Sequence, residues 1–110
     1  MELKLEKKRI VDEEGRIVDQ NYGPKLTEEF IKKFYSMLVL VRTFDRKAIS
    51  LQRQGRIGTY PPFEGQEGAQ VGSALALDKE DWMFPTYRDH AAIITFGQKL
   101  STVFLYWQGR

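Results

Sequence analysis

The chain contains an uninterrupted stretch between Thr27 and Gly55 that has no glycine or proline. Its apolar residues recur at helical spacing, as the positions of Phe30, Phe34, Leu38 and Val41 show. Thr27 is suited to cap the first turn, where Glu28 and Glu29 would complement the helix dipole. Gly55 is suited to the position just after the last turn. The sequence therefore predicts one amphipathic helix of about seven turns.

The residues after this helix alternate between loops and shorter helices. Residues 55–65 contain three glycines and two prolines, which favours a loop. Residues 66–77 are small and alanine-rich, which predicts a buried helix, although Gly68 and Gly72 each cost about 1 kcal/mol relative to alanine. Further helices are predicted over residues 89–96 and after Ser101, which is a candidate cap.

Two segments predict short β-structure. Residues 9–19 read RIVDEEGRIVD, in which branched apolar residues flank Gly15, and this pattern predicts a short hairpin that needs support from a larger body. A loop over residues 20–25 follows. Residues 82–84 form an apolar run before Pro85 and predict one short strand. We therefore expect a mostly α-helical chain with a short N-terminal β-hairpin and one short strand.

The overall composition excludes several kinds of site. The 110 residues include no cysteine and one histidine, so disulfides and thiolate metal sites are excluded and no metal-binding residue is assigned. The net charge of +2 is too balanced to favour nucleic acid. No apolar run reaches the ~20 residues that a membrane-spanning helix needs, so a cytoplasmic protein is expected. Phosphate-binding loops, dinucleotide-binding motifs and nucleophile elbows are absent.

Four short motifs nevertheless follow one another in a fixed order. They are R-T-F-D at residues 42–45, the glycines of R-Q-G-R-I-G at 53–58, G-Q-E at 65–67, and Y-R-D-H at 87–90. In this order they resemble the alpha subunit of the thiamine-diphosphate-dependent 2-oxo acid dehydrogenases, from about residue 10 to the end. The resemblance implies the leading fragment of an α/β thiamine-diphosphate-binding fold. Residues 1–25 would be an N-terminal arm and residues 26–110 the truncated helical start of the cofactor-binding domain.

The resemblance also implies roles for individual residues. Thr86, Tyr87 and Arg88 match the segment that contacts the cofactor diphosphate, which suits a permanently charged guanidinium with forked donors. The substrate-binding residues that the resemblance implies are Thr59, Tyr60 and Tyr87. The family usually has an aromatic residue at the position of Thr59, whereas in this sequence the aromatic residue, Tyr60, stands one place later. The alternative reading makes Tyr60 and Tyr87 packed aromatic residues and Arg88 a surface ion-pair partner. No catalytic residue is assigned to this chain.

For His90, packing near the cofactor is expected, and direct contact with it is the less favoured reading. Gly68 stands where the family prefers alanine, which we expect to weaken the helix slightly and to leave the chemistry unchanged.

The implied activity is the oxidative decarboxylation of pyruvate or a branched-chain 2-oxo acid, with transfer of the acyl group to a lipoyl group. Thiamine diphosphate and Mg²⁺ are the implied cofactors, with the metal ligands outside this chain. The implied partners are a beta subunit and a lipoyl-bearing acyltransferase. The chain alone is expected to be inactive and, because its apolar helix faces lack cover, to self-associate. The alternatives are an acetoin dehydrogenase alpha subunit and a non-catalytic helical module that binds another subunit.

Overall fold

A computed structural model of the chain describes residues 2–22 and 26–109. In chain order the α-helices of this part are α1 (Glu28–Arg53), α2 (Glu67–Leu75), α3 (His90–Phe96) and α4 (Leu100–Gln108). A short 3₁₀ turn, Gln20–Tyr22, precedes them. The mostly helical character agrees with the sequence prediction. Gly23 and Pro24, which belong to the predicted loop, lie outside the described residues.

The long helix α1 forms as its end signals predict. The Thr27 hydroxyl accepts a hydrogen bond from the backbone N–H of Phe30 at 3.1 Å, which satisfies one of the free donors of the first turn. Glu28 and Glu29 occupy that turn. At the other end the chain leaves the helix through Gly55, whose φ of +70° is accessible to glycine at little cost.

The predicted N-terminal β-hairpin is wrong. The chain does turn at Asp12–Gly15, and the Asp12 carboxylate accepts hydrogen bonds from the N–H groups of Glu14 and Arg16. Only one isolated antiparallel bridge forms, between Val11 and Ile17, and no strand is present in residues 2–22 or 26–109. Both bridge residues remain exposed, so no packed surface extends the pairing into a ladder.

The predicted strand at residues 82–84 is wrong for a related reason. The backbone from 81 to 86 is irregular, and no described segment pairs with it. Trp82 and Phe84 are both exposed and stack on each other with ring centroids 6.4 Å apart. An apolar run becomes a strand only when a neighbour accepts its backbone hydrogen bonds. The last helix also differs slightly, because Lys99 is its cap and Ser101 lies inside its first turn.

The core lies where the middle of α1 meets α2, α3, α4 and the loop before α2. Its buried residues are Val41, Phe44, Ala48, Ile57, Tyr60, Phe63, Val71, Ala91, Ile94 and Val103. The first half of α1 keeps an exposed apolar face instead, formed by Phe30, Ile31, Tyr35 and Val39. Within the described residues, no helix is both long and apolar enough to cross a bilayer.

Candidate functional site

A buried carboxylate on α1 anchors the loop before α2. Asp45 is 1% exposed, and its Oδ1 accepts hydrogen bonds from the Tyr60 hydroxyl at 2.7 Å and the Phe63 N–H at 3.1 Å. Its Oδ2 accepts from the Glu64 N–H at 3.1 Å. Burial of a charge is costly unless hydrogen bonds satisfy it. The loop over residues 60–64 is therefore held against α1 by three donors that converge on one side chain.

Tyr60, a predicted substrate-binding residue, is part of this anchor. Its ring is buried beside those of His90 and Trp107, with centroids 5.1 and 5.6 Å away. Burial, together with the hydrogen bond to Asp45, raises the pKa of the Tyr60 phenol, so the hydroxyl stays protonated as a donor. Thr59 is exposed, so the two neighbouring candidates lie in different environments.

The predicted cofactor-binding residues lie together in the turn that leads into α3. Both the N–H and the hydroxyl of Thr86 donate to the Asp89 carboxylate, at 2.7 and 2.8 Å. Tyr87 is 70% exposed, and the Arg88 guanidinium carbon lies 5.6 Å from the centroid of its ring. Arg88 Nη1 donates to the carbonyl of Pro62 at 2.6 Å. The turn is thus tied to the loop that Asp45 anchors.

Gln70 connects the same turn to α2, and sequence reasoning did not identify it. Its buried side chain donates through Nε2 to the carbonyl of Arg88 at 3.0 Å. Its Oε1 accepts from the N–H of Ala92 at 3.3 Å. The available signal was a polar residue on the inward face of a helix of small apolar residues. Such a residue indicates a buried hydrogen-bonding role, because buried amides need partners. Gln70 therefore fixes the backbone on both sides of the start of α3.

Two of the sequence motifs meet in an ion pair between α1 and α2. The Nε of Arg42 donates to Oε1 of the buried Glu67, whose Oε2 accepts from the Gly65 N–H at 2.8 Å. The hydrogen bond from Arg42 is the main reason why the pKa of Glu67 falls to about 2. On the surface beside it, Arg46 donates to Glu64 at 2.9 Å. The R-T-F-D and G-Q-E motifs thus meet where the anchored loop enters α2.

A cavity of about 440 Å³ opens between the turn before α3 and α4. Its lining includes Thr86 and Tyr87 from the turn, and Thr102, Tyr106 and Trp107 from α4. It also reaches His90, which is 3% exposed and whose ring nitrogens find no hydrogen-bond partner among the described residues. Burial lowers the pKa of His90, which favours the neutral ring. A largely apolar cavity with a few polar groups is the usual form of a small-molecule site.

No cluster of three or more histidine, cysteine, aspartate or glutamate residues in the described ranges could hold a metal ion.

Comparison with known proteins decides the family. Residues 35–110 match the family described as dehydrogenase E1 component. The chain belongs to this family. An alpha subunit of the pyruvate dehydrogenase E1 component from Acholeplasma laidlawii is 46% identical over 98 residues, which is 89% of this chain and 28% of the relative. Relatives with the same name from Staphylococcus aureus and Staphylococcus epidermidis are 42% identical over 106 residues, which is 96% of this chain and 29% of each relative. This E1 component chain thus spans less than a third of their length.

Proposed function

We propose that this chain forms part of the alpha subunit of a 2-oxo acid dehydrogenase that decarboxylates pyruvate or a branched-chain 2-oxo acid. The observation that carries the proposal is the placement of Arg88. Arg88 directly follows Tyr87, which lines the cavity, and its guanidinium is held through Nη1, which donates to the Pro62 carbonyl. Among the described residues the other guanidinium donors have no hydrogen-bond partner, and they suit the oxygens of an anionic ligand. The relatives named as pyruvate dehydrogenase alpha subunits agree with this assignment.

The residues of the turn fit one side of a thiamine diphosphate site. Arg88 supplies a fixed positive charge and Tyr87 a hydroxyl on an exposed side chain, and the guanidinium carbon lies 5.6 Å from the centroid of the Tyr87 ring. Thr86 contributes less, since its hydroxyl is committed to Asp89. One guanidinium does not neutralise a diphosphate, so we expect Mg²⁺ and its ligands to come from outside the described residues. When bound, thiamine diphosphate would supply the carbanion chemistry.

Substrate binding by Thr59, Tyr60 and Tyr87 is part of the same proposal. Of the three, Tyr87 lines the cavity, while the Tyr60 ring packs behind two residues that line it, His90 and Trp107. We propose that Tyr87 contacts the ligand directly, and that Tyr60 shapes the wall behind His90. Thr59 is exposed on the loop, where a second subunit would be needed to bring it into a pocket.

The partners that we propose are a beta subunit and a lipoyl-bearing acyltransferase that accepts the acyl group. The exposed apolar face of α1 is a surface of the kind that subunit contacts bury. We further propose that residues 1–25 form an arm and residues 26–110 belong to the cofactor-binding domain. A cytoplasmic location stays a prediction, as does the inactivity of the isolated chain.

Calorimetric titration of thiamine diphosphate with Mg²⁺ tests the proposal. The chain is titrated alone and after assembly with the beta subunit and the remainder of the alpha subunit. We expect heat of binding only in the assembled sample, and its loss in an Arg88→Ala variant. The matched control is Arg16→Ala, which removes an exposed arginine of the N-terminal turn. Unchanged binding by Arg88→Ala would contradict the proposal.

The second candidate function is a non-catalytic helical module that binds another subunit. The exposed apolar residues of α1 favour it, because large exposed apolar patches mark interaction sites. The same titration separates the two candidates. A chain that associates with the beta subunit, yet shows no cofactor response in any assembly, would support the interaction module.

A further inference from the structure

The peptide unit between Pro62 and Phe63 is hydrogen-bonded on both sides. Its N–H donates to Asp45 Oδ1 at 3.1 Å, and its carbonyl accepts from Arg88 Nη1 at 2.6 Å. A trans peptide unit is planar, so its N–H and C=O point in opposite directions and turn together. The direction of the carbonyl that holds Arg88 is therefore fixed by the group that holds the N–H.

Asp45 is placed to act only through this loop. Its side chain is 1% exposed and sits on α1 between the buried residues Val41, Phe44 and Ala48. A bound ligand could not reach it without displacing the core. A carboxylate forms stronger hydrogen bonds with N–H donors than a neutral acceptor does. Asp45 holds the Phe63 and Glu64 N–H groups in succession, so the peptide unit before Phe63 has little freedom to rotate.

We propose that Asp45 is a positioning residue for Arg88. It holds the Pro62–Phe63 peptide unit, whose carbonyl in turn orients the guanidinium toward the ligand. The inference rests on the proposed function, in which Arg88 contacts the diphosphate of the cofactor. A side chain that is held before binding loses less conformational freedom when the ligand arrives, which improves affinity without a new contact.

The hydrogen bond from Tyr60 offers a matched comparison. The Tyr60 hydroxyl also donates to Asp45 Oδ1, but it does not belong to the peptide unit that binds Arg88. A Tyr60→Phe variant therefore removes a buried hydrogen bond of the same carboxylate and leaves both backbone donors in place. Asp45→Asn acts differently. Its amide nitrogen replaces one carboxylate oxygen, so either the Glu64 N–H or the Phe63 N–H loses its acceptor. In both cases the remaining oxygen is neutral and holds the Phe63 N–H more weakly than the carboxylate does.

The first test measures Arg88 without any cofactor. The resonance of the Arg88 Nη1–H that donates to the Pro62 carbonyl is followed by nuclear magnetic resonance in the 110-residue chain. We expect slow exchange with solvent and a single sharp signal in the unmodified chain and in Tyr60→Phe. In Asp45→Asn the signal should broaden and exchange faster, while circular dichroism retains the helical spectrum. If Asp45→Asn does not fold, Asp45→Ser takes its place. An Arg88 signal that is unchanged in the folded variant would overturn the inference.

The second test is a double-mutant cycle on thiamine diphosphate binding in the assembled enzyme. We expect Asp45→Asn to weaken binding roughly tenfold, which is the effect of losing about one hydrogen bond. In an Arg88→Ala background the same change should have less than about a twofold effect, since residues that act through one another are not additive. The control Arg16→Ala, which removes an exposed arginine of the N-terminal turn, should stay within about twofold of the unmodified enzyme.

The outcomes separate the inference from the proposed function. Additive losses in Asp45→Asn and Arg88→Ala would overturn the inference and leave the proposed function intact. Binding that Arg88→Ala does not weaken would overturn the proposed function. In that case the resonance of Arg88 still decides whether Asp45 orients the guanidinium.

Discussion

The side-chain amide of Gln70 donates a hydrogen bond to the backbone carbonyl of Arg88 at 3.0 Å. The same side chain accepts a hydrogen bond from the N–H of Ala92 in the first turn of α3. Gln70 thus fixes the backbone of Arg88, while the Pro62 carbonyl fixes its guanidinium. Arg88, which we propose to bind the diphosphate, is thus held both at its backbone and at its guanidinium.

Replacement of Gln70 by leucine should destabilise the chain by about 1–3 kcal/mol. The Ala92 N–H would lose its acceptor inside the core, and leucine cannot replace either hydrogen bond. Urea unfolding followed by circular dichroism measures the change. The control is Gln108→Leu at an exposed position of α4, which should stay within about 0.5 kcal/mol of the unmodified chain. Equal effects of the two substitutions would contradict the prediction.

The ion pair between Arg42 and Glu67 should make stability depend on pH in the acid range. The pKa of Glu67 is lowered from 4.5 to about 2 by the folded structure. A carboxyl with a lowered pKa contributes stability that is fully present above pH 4.5 and is lost as the pH falls toward 2. A Glu67→Gln variant should therefore lose less stability than the unmodified chain over this interval.

Midpoints of urea unfolding measured from pH 5 to pH 2 test this expectation, because protonation of carboxyl groups changes the free energy of unfolding mainly below about pH 5. The control is Glu28→Gln, which removes an exposed carboxylate of the first turn of α1. Its pH profile should follow that of the unmodified chain. Unfolding midpoints that fall in parallel for Glu67→Gln and the unmodified chain would show that this ion pair does not cause the pH dependence of stability.

His90 should produce a separate pH dependence at a higher pH. Burial lowers its pKa below the ordinary value of 6.5, so the unfolded chain takes up the proton first. The stability that the neutral ring contributes is present above pH 6.5 and falls as the pH drops through the lowered pKa. In a His90→Phe variant this loss of stability at falling pH should disappear. A midpoint of unfolding that declines just below pH 6.5 to the same extent in both proteins would refute the assignment.

Gly68 offers a substitution that should stabilise the chain. A Cβ at this position of α2 would meet no atom within 4 Å, and alanine is favoured over glycine inside a helix by up to about 1 kcal/mol. Gly68→Ala should therefore raise the midpoint of thermal unfolding. Gly55→Ala is the contrasting variant, because the φ of +70° at Gly55 strains an alanine. A loss of stability in Gly68→Ala would contradict this prediction.

Local sequence signals determined the helices. Thr27 and the residues that follow it carry a cap, an acidic first turn and a period of apolar positions, and these signals act within a few neighbouring residues. Residues 66–77 and 89–96 were likewise predicted as helices. The order of four motifs was also enough to indicate the family, which the match over residues 35–110 confirms. None of these inferences needs contacts between distant parts of the chain.

Tertiary contacts decided what local signals could not. The RIVDEEGRIVD segment and the run at residues 82–84 have strand-like composition, but a strand needs a partner that only the assembled fold can provide. Asp45 and Glu67 belong to two of the sequence motifs, but the motifs do not indicate their partners, and Gln70 reads as an ordinary polar residue of a helix. Each becomes a buried centre of hydrogen bonds only because distant segments pack around it. The sequence alone therefore determined the helices and the family, and the tertiary structure decided which polar side chains are buried and which segments remain unpaired.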